Sequence, residues 1–181
     1  MARFNKTEHL RQNIEAIKVA IELEKTGNEA TPQQKEILQA YSGFGAIKEV
    51  IDPLPKEGGK QTALTPLIEE LQTFLRENTA NDKEYKRYMD GIKDSVMTAF
   101  YTPPVIVEAL AGTLKDKGIE PKRFLDPSAG TGVFSDSFRT ISPDSEITCF
   151  EKDPVTGIIL KHLSPNDNIR MQGYETIEPK Y

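Results

Sequence analysis

The chain has 181 residues, 37% hydrophobic and 28% charged, a balance that fits one globular domain or two small ones. No apolar stretch is long enough to cross a membrane and no signal peptide opens the chain, since Ala2-Arg3-Phe4-Asn5 runs straight into a polar helix; a cytoplasmic location is expected. The single Cys149 excludes an internal disulfide, two histidines and one cysteine argue against structural zinc, and a net charge of −5 argues against this chain being the main clamp on a DNA duplex.

Residues 5–26 predict an amphipathic helix, with Asn5 as cap, Glu8 three residues on, and Leu10, Ile14, Ile17 and Ile21 on one face. Gly27-Asn28 ends it. Thr31-Pro32 opens a second helix with Ile37, Leu38 and Tyr41 on its apolar side and Gly43 as its stop. The stretch Tyr41-Ser42-Gly43-Phe44-Gly45-Ala46-Ile47 has two readings: a helix C-cap with a hydrophobic plug, or a tight turn that holds Phe44 over a pocket. Residues 52–64, with Pro53, Pro55, Gly58 and Gly59, predict an exposed linker. Thr65-Pro66 starts a third helix with Leu67, Leu71, Phe74 and Leu75 inward, and Asn81 with Glu84 caps a fourth that carries Tyr85, Tyr88, Met89 and Ile92. Lys83, Lys86 and Arg87 interleave with those tyrosines, which reads either as a solvated helix face or as a small nucleic-acid contact. His9 and His162 fall on helices as surface or rim residues.

The second half changes character. Thr102 is placed to cap a helix with Pro103 at its first position and Ile106, Leu110 and Leu114 on its core face; such a helix start offers amides to a carboxylate. Lys122 to Asp126 then reads as a strand, Pro127-Ser128-Ala129-Gly130-Thr131-Gly132 as a small-residue turn, and residues 133–140 as a helix. Gly130 and Gly132 permit positive φ and leave room for a ligand beside the backbone. The acid precedes the glycines, which suits a positively charged ligand better than a pyrophosphate, and Ser135 breaks the dinucleotide pattern Gly-x-Gly-x-x-Gly. Glu146 to Phe150 is a second strand, with Glu151 at its tip, where a carboxylate accepts hydrogen bonds from both hydroxyls of a nucleoside ribose. Asp153-Pro154 caps a further helix with Val155, Ile158, Ile159 and Leu163 inward, and Asn168 to Gln172 forms a third strand before Gly173-Tyr174-Glu175.

Asp126-Pro127-Ser128-Ala129-Gly130-Thr131-Gly132 resembles motif I of S-adenosylmethionine-dependent DNA methyltransferases, particularly the adenine-N6 type. Tyr101-Thr102-Pro103-Pro104 is similar to their motif X, Glu151 to motif II and Gly173-Tyr174 to motif III, and Tyr41-Ser42-Gly43-Phe44-Gly45 resembles a stretch near the start of large, often helicase-fused, methylases of phages and conjugative elements. The resemblance implies S-adenosylmethionine as cofactor, its carboxylate near Thr102, its amine near Asp126 and its ribose on Glu151. Tyr101, Pro103, Ser128, Ala129, Gly130, Thr131, Gly132, Phe134, Lys152 and Tyr174 complete the implied cofactor site. Gly173 departs from the pattern, since an Asp is common there, which puts contact to the adenine amino group in doubt; Glu175 stands nearby.

Catalysis of adenine-N6 transfer implies a motif IV loop of the Asn-Pro-Pro-Tyr kind, for which the chain has no match before Tyr181, so no residue is read as catalytic. The expected architecture is α/β: a helical N-terminal region over residues 1–95, then, over 96–181, the first three strands of a Rossmann-like methyltransferase fold with one sheet edge exposed. DNA is the expected partner, contacted mainly through other regions, with a fused helicase as a possible companion and no membrane partner. Alternatives are a methyltransferase acting on RNA or protein, and an inactive methyltransferase-fold module used for DNA binding or scaffolding.

Overall fold

The computed structural model describes residues 5–52, 54–55 and 60–177, and the chain divides into two compact units, Met1–Ala99 and Phe100–Tyr181. Pro53, Gly58 and Gly59 of the expected linker lie outside the described residues.

The first unit is helical. Helix α1 (Lys6–Thr26) begins where the Asn5 side chain accepts from the amides of Thr7 and Glu8, and ends at Gly27 in the left-handed region at φ 67°. Leu10, Ile14, Ile17 and Ile21 form its buried face, as their spacing requires. Helix α2 (Pro32–Gln39) opens with a reciprocal capping box between Thr31 and Gln34. It stops well before Gly43, and the cause is a side chain from α1. Asn13, fully buried, accepts the Ser42 N–H at 2.9 Å and donates to the Gly43 carbonyl at 2.6 Å. Those backbone groups are thereby satisfied outside a helix, and Gly43 turns at φ 68°. Phe44 is completely buried beside Tyr41 in an edge-on ring contact, so it acts as the hydrophobic plug, although not at a helix C-cap.

Helix α3 (Thr65–Asn78) buries Ile68, Leu71 and Leu75, while Leu67 and Phe74 are only half-buried. Helix α4 (Asp82–Thr98) is capped by Asn81, which accepts the Glu84 amide, and Glu84 reaches back to the Ala80 amide at 2.6 Å. Met89, Ile92 and Val96 are buried, Tyr85 and Tyr88 half-buried, and Lys83, Lys86 and Arg87 exposed. Arg76 stacks over the Tyr85 ring at 4.5 Å. Helix α1 packs on α2 and α3, and α3 on α4.

The second unit alternates helix and strand: α5 (Pro104–Asp116), β1 (Arg123–Asp126), α6 (Val133–Ile141), β2 (Glu146–Phe150), α7 (Pro154–Leu163) and β3 (Asn168–Arg170). Among the described residues the strands form one parallel sheet in the order β1-β2-β3, with Asp126 opposite Cys149 and Phe150 opposite Arg170. Parallel neighbours need a crossover, which α6 and α7 supply. The arrangement is consistent with part of a Rossmann-like fold. Ala129, Ile147, Cys149 and Leu160 make the core, with Phe124 and Ile169 against it. Burial pushes the Cys149 thiol up to about 12. Phe124 stacks on Phe138 at 4.3 Å, and Arg139 pairs with Asp167, tying α6 to the loop before β3. Strand β1 is an edge, where Leu125 is exposed.

Three expectations are corrected here. Thr102 does not cap α5: Pro103 is the extended N-cap at φ −56° and ψ 134°, Pro104 is the first helical residue, and no side chain caps the helix. A residue before proline is pushed out of the helical region, so the second proline delays the start by one residue. Val107 and Ala111 are the buried residues, and Ile106 and Leu110, expected inward, are exposed. Strand β3 ends at Arg170 rather than Gln172, because the Gln172 amide turns back onto the Arg170 carbonyl. No described helix is long and apolar enough to cross a membrane.

Asn13→Ala strips partners from two backbone groups around Ser42 and Gly43. It is expected to cost about 2–4 kcal/mol in denaturant unfolding, whereas Glu22→Ala, at an exposed position of α1, should change stability by less than about 0.5 kcal/mol.

Candidate functional site

The carboxyl ends of parallel strands face one side of a sheet, and the crevice there is where α/β proteins hold ligands. Three tips meet that side: Asp126 ends β1, Glu151 follows β2, and Gly173-Tyr174 follow β3.

Asp126 is 6% exposed. Its Oδ1 accepts the Ser128 amide at 3.1 Å, while Oδ2 is shielded from solvent with no hydrogen-bond partner among the described residues. Burial pushes the carboxyl above its ordinary range, and the Ser128 bond offsets this only in part. A buried carboxylate oxygen left unpaired is expensive unless something positive or hydrogen-bearing meets it.

Glu151 is anchored from two sides. Its Oε2 accepts the Gly130 amide at 2.8 Å and its Oε1 the Asp153 amide at 2.9 Å. Burial again raises its pKa, and these amide bonds counter the rise. A carboxylate offers roughly four acceptor positions, so each oxygen keeps capacity for a hydroxyl.

The turn after β1 is held by the same contacts. Gly130 and Gly132 take φ of 56° and 92°, as expected, and the Ala129 amide donates to the Phe150 carbonyl at 2.9 Å. The space beside the glycines, however, is filled by protein rather than left open for a ligand. A Cβ on Gly130 would lie 2.8 Å from the Tyr101 ring, and one on Gly132 would lie 2.8 Å from Leu160 Cδ1. The glycines therefore serve close packing of α7 and of the segment before α5. Helix α6 starts at Val133 with no side-chain cap, while Ser135 Oγ donates to the Gly132 carbonyl at 2.9 Å. Ala129 is buried, Thr131 and Phe134 are half-buried, and Ser128 is exposed.

Tyr101 reaches the site across 29 residues of sequence. Its hydroxyl shares a hydrogen bond with Thr156, whose Oγ1 donates to Asp153 Oδ2 at 2.9 Å; burial raises the phenol pKa. Asp153 also accepts the Val155 amide as the cap of α7, the structural role its position predicts. Thr102 makes no hydrogen bond among the described residues and Pro103 is exposed, so of this segment it is Tyr101 that packs on the glycine turn. Lys152 is exposed and lies 3.8 Å from Glu175, and the half-exposed Tyr174 sets its ring edge-on to Phe150 at 5.3 Å. The described residues hold no group of three His, Cys, Asp or Glu able to bind a metal.

No family model matches the chain, and no solved structure matches it. It is similar to the defense against restriction protein B of Escherichia phage P1, with 34% identity over 87 residues. That stretch is 48% of this chain but 4% of the phage protein, so the similarity is distant and partial.

Two measurements check this geometry. Because the folded pKa of Asp126 is raised, the native state binds its proton more tightly than the unfolded state, and stability falls as pH rises from the unfolded value through the folded one. Asp126→Asn should therefore raise Tm at pH 7, by roughly 2–4 °C for each kcal/mol removed, and its advantage over the native chain should shrink on acidification. Gly130→Ala and Gly118→Ala both place alanine at positive φ, but only position 130 meets another side chain; the first should be the more destabilising by about 1 kcal/mol or more in denaturant unfolding.

Proposed function

We propose that the α/β unit binds S-adenosylmethionine and serves as the cofactor-binding part of a DNA methyltransferase directed at adenine N6. The observation that carries this reading is the unpaired, buried Oδ2 of Asp126, one strand away from the anchored carboxylate of Glu151. The two acids fit a ligand with a cationic end and a ribose: Asp126 would take the amine and Glu151 the ribose hydroxyls. When bound, the cofactor supplies an activated methyl group on its sulfonium. The chain's own task is positioning, which by itself accounts for a large part of a two-substrate transfer. The phage relative's name speaks of defence against restriction, and methylating a restriction target is one chemistry that provides such a defence. With a net charge of −5, this chain leaves the main grip on DNA to other parts of a larger protein. A fused helicase is the proposed companion.

A second reading, a cofactor-binding module without transfer activity, draws on Gly173, which stands where related enzymes carry an acid. Transfer of a labelled methyl group to DNA, RNA and protein by the full-length protein separates the readings. Incorporation into adenine of DNA supports the first, and cofactor binding without incorporation supports the second.

Calorimetry with S-adenosylmethionine should show binding to the 181-residue chain. Glu151→Ala should weaken it about 10- to 100-fold, the loss of hydrogen bonds to a charged group, with the unfolding midpoint followed in parallel. Unchanged affinity in a folded Glu151→Ala chain overturns the proposal.

A further inference from the structure

We propose that Thr156 is a positioning residue of this site: it carries the hold on Tyr101 through Asp153 to Glu151, and so sets the carboxylate that would meet the ribose; this rests on the cofactor reading above. Thr156 is 2% exposed in the first turn of α7. A threonine hydroxyl has a single proton to give, and here it goes to Asp153 Oδ2 at 2.9 Å. In the hydrogen bond that Tyr101 shares with Thr156 the phenol is therefore the donor. The relay has one direction, from Tyr101 to Thr156 to Asp153.

The relay closes on itself. Asp153, whose Oδ1 accepts the Val155 amide, gives its own N–H to Glu151 Oε1 at 2.9 Å. Glu151 Oε2 accepts the Gly130 amide at 2.8 Å, and the Tyr101 ring lies against Gly130, where a Cβ would meet it at 2.8 Å. Tyr101, Thr156, Asp153, Glu151 and Gly130 thus form one ring of contacts. A threonine beside a capping acid has its explanation in the helix start alone, but accepting a phenol from the segment before α5 is no part of a cap. Without the Thr156 hydroxyl, Asp153 loses a donor and Tyr101 loses its acceptor in one stroke. The Asp153 and Gly130 amides, the two anchors of Glu151, then loosen together, as members of a connected polar network do.

The test follows S-adenosylhomocysteine binding by calorimetry and the Gly130 amide resonance by NMR in the 181-residue chain. Thr156→Val, close in shape but without the hydroxyl, should weaken binding about 3- to 10-fold, the worth of one net hydrogen bond, and should shift the Gly130 resonance. Thr156→Ser keeps the relay and should restore most of the affinity and the native resonance. Because Thr156 acts through Glu151, its substitution should cost almost nothing further in a Glu151→Ala background, a non-additivity that a purely structural role does not produce. Where Thr156→Val does not fold, Tyr101→Phe, which breaks the same relay and keeps the ring against Gly130, goes through the same cycle. Equal losses with and without the Glu151 carboxylate, or native affinity in a folded Thr156→Val chain, overturn this inference alone. No binding of S-adenosylhomocysteine to the native chain overturns the cofactor reading and this inference with it.

Discussion

The carboxylate of Glu151 joins the turn after β1, the end of β2 and the start of α7. One oxygen holds the amide of Gly130 in the turn after β1, and the other holds the amide of Asp153 at the start of α7. With the Ala129 amide on the Phe150 carbonyl, these bonds fix the turn against the end of β2 rather than leaving it to its glycines. An acid buried for ligand binding alone would be a liability. This one is partly stabilised by the backbone it organises, which keeps its charge tolerable while leaving acceptor capacity on both oxygens.

Asp126 shows the other side of the same physics. It has one amide bond and one bare oxygen, and its raised pKa records a burial that the fold does not compensate. Structural carboxylates in this unit are treated differently. Asp153 caps α7 and accepts from Thr156, and Asp167 pairs with Arg139. Asp126, at the strand tip, is the acid of this unit with a buried oxygen that meets no hydrogen-bond partner among the described residues. Tyr101 closes the arrangement, its ring against Gly130 and its hydroxyl on the Thr156–Asp153 pair, so the segment before α5 is tied to the turn after β1 and the start of α7.

In the helical unit a single polar side chain decides where a helix stops. Asn13 diverts the backbone of Ser42 and Gly43, and the diverted chain carries Phe44 into the core. The chain from Tyr41 to Ile47 thus has its immediate explanation in packing.

What the sequence determined by itself was local. Caps and periodicity placed the starts of α1, α3, α4, α6 and α7, because Asn5, Asn81, Asp153 and the apolar spacings act over three or four residues. The acids at the ends of β1 and β2 were legible for the same reason: a carboxylate at the end of an apolar run, before a small-residue turn or a capped helix, is a short-range pattern. The tertiary structure decided everything that depends on residues far apart. It stopped α2 through Asn13 and turned Val107 and Ala111 of α5 inward in place of Ile106 and Leu110. It set Tyr101 and Leu160 beside glycines that had looked open. Spacing along a chain carries the geometry of a turn or a cap, but which side chain fills a neighbour's missing Cβ is settled only when the sheet and its helices close together.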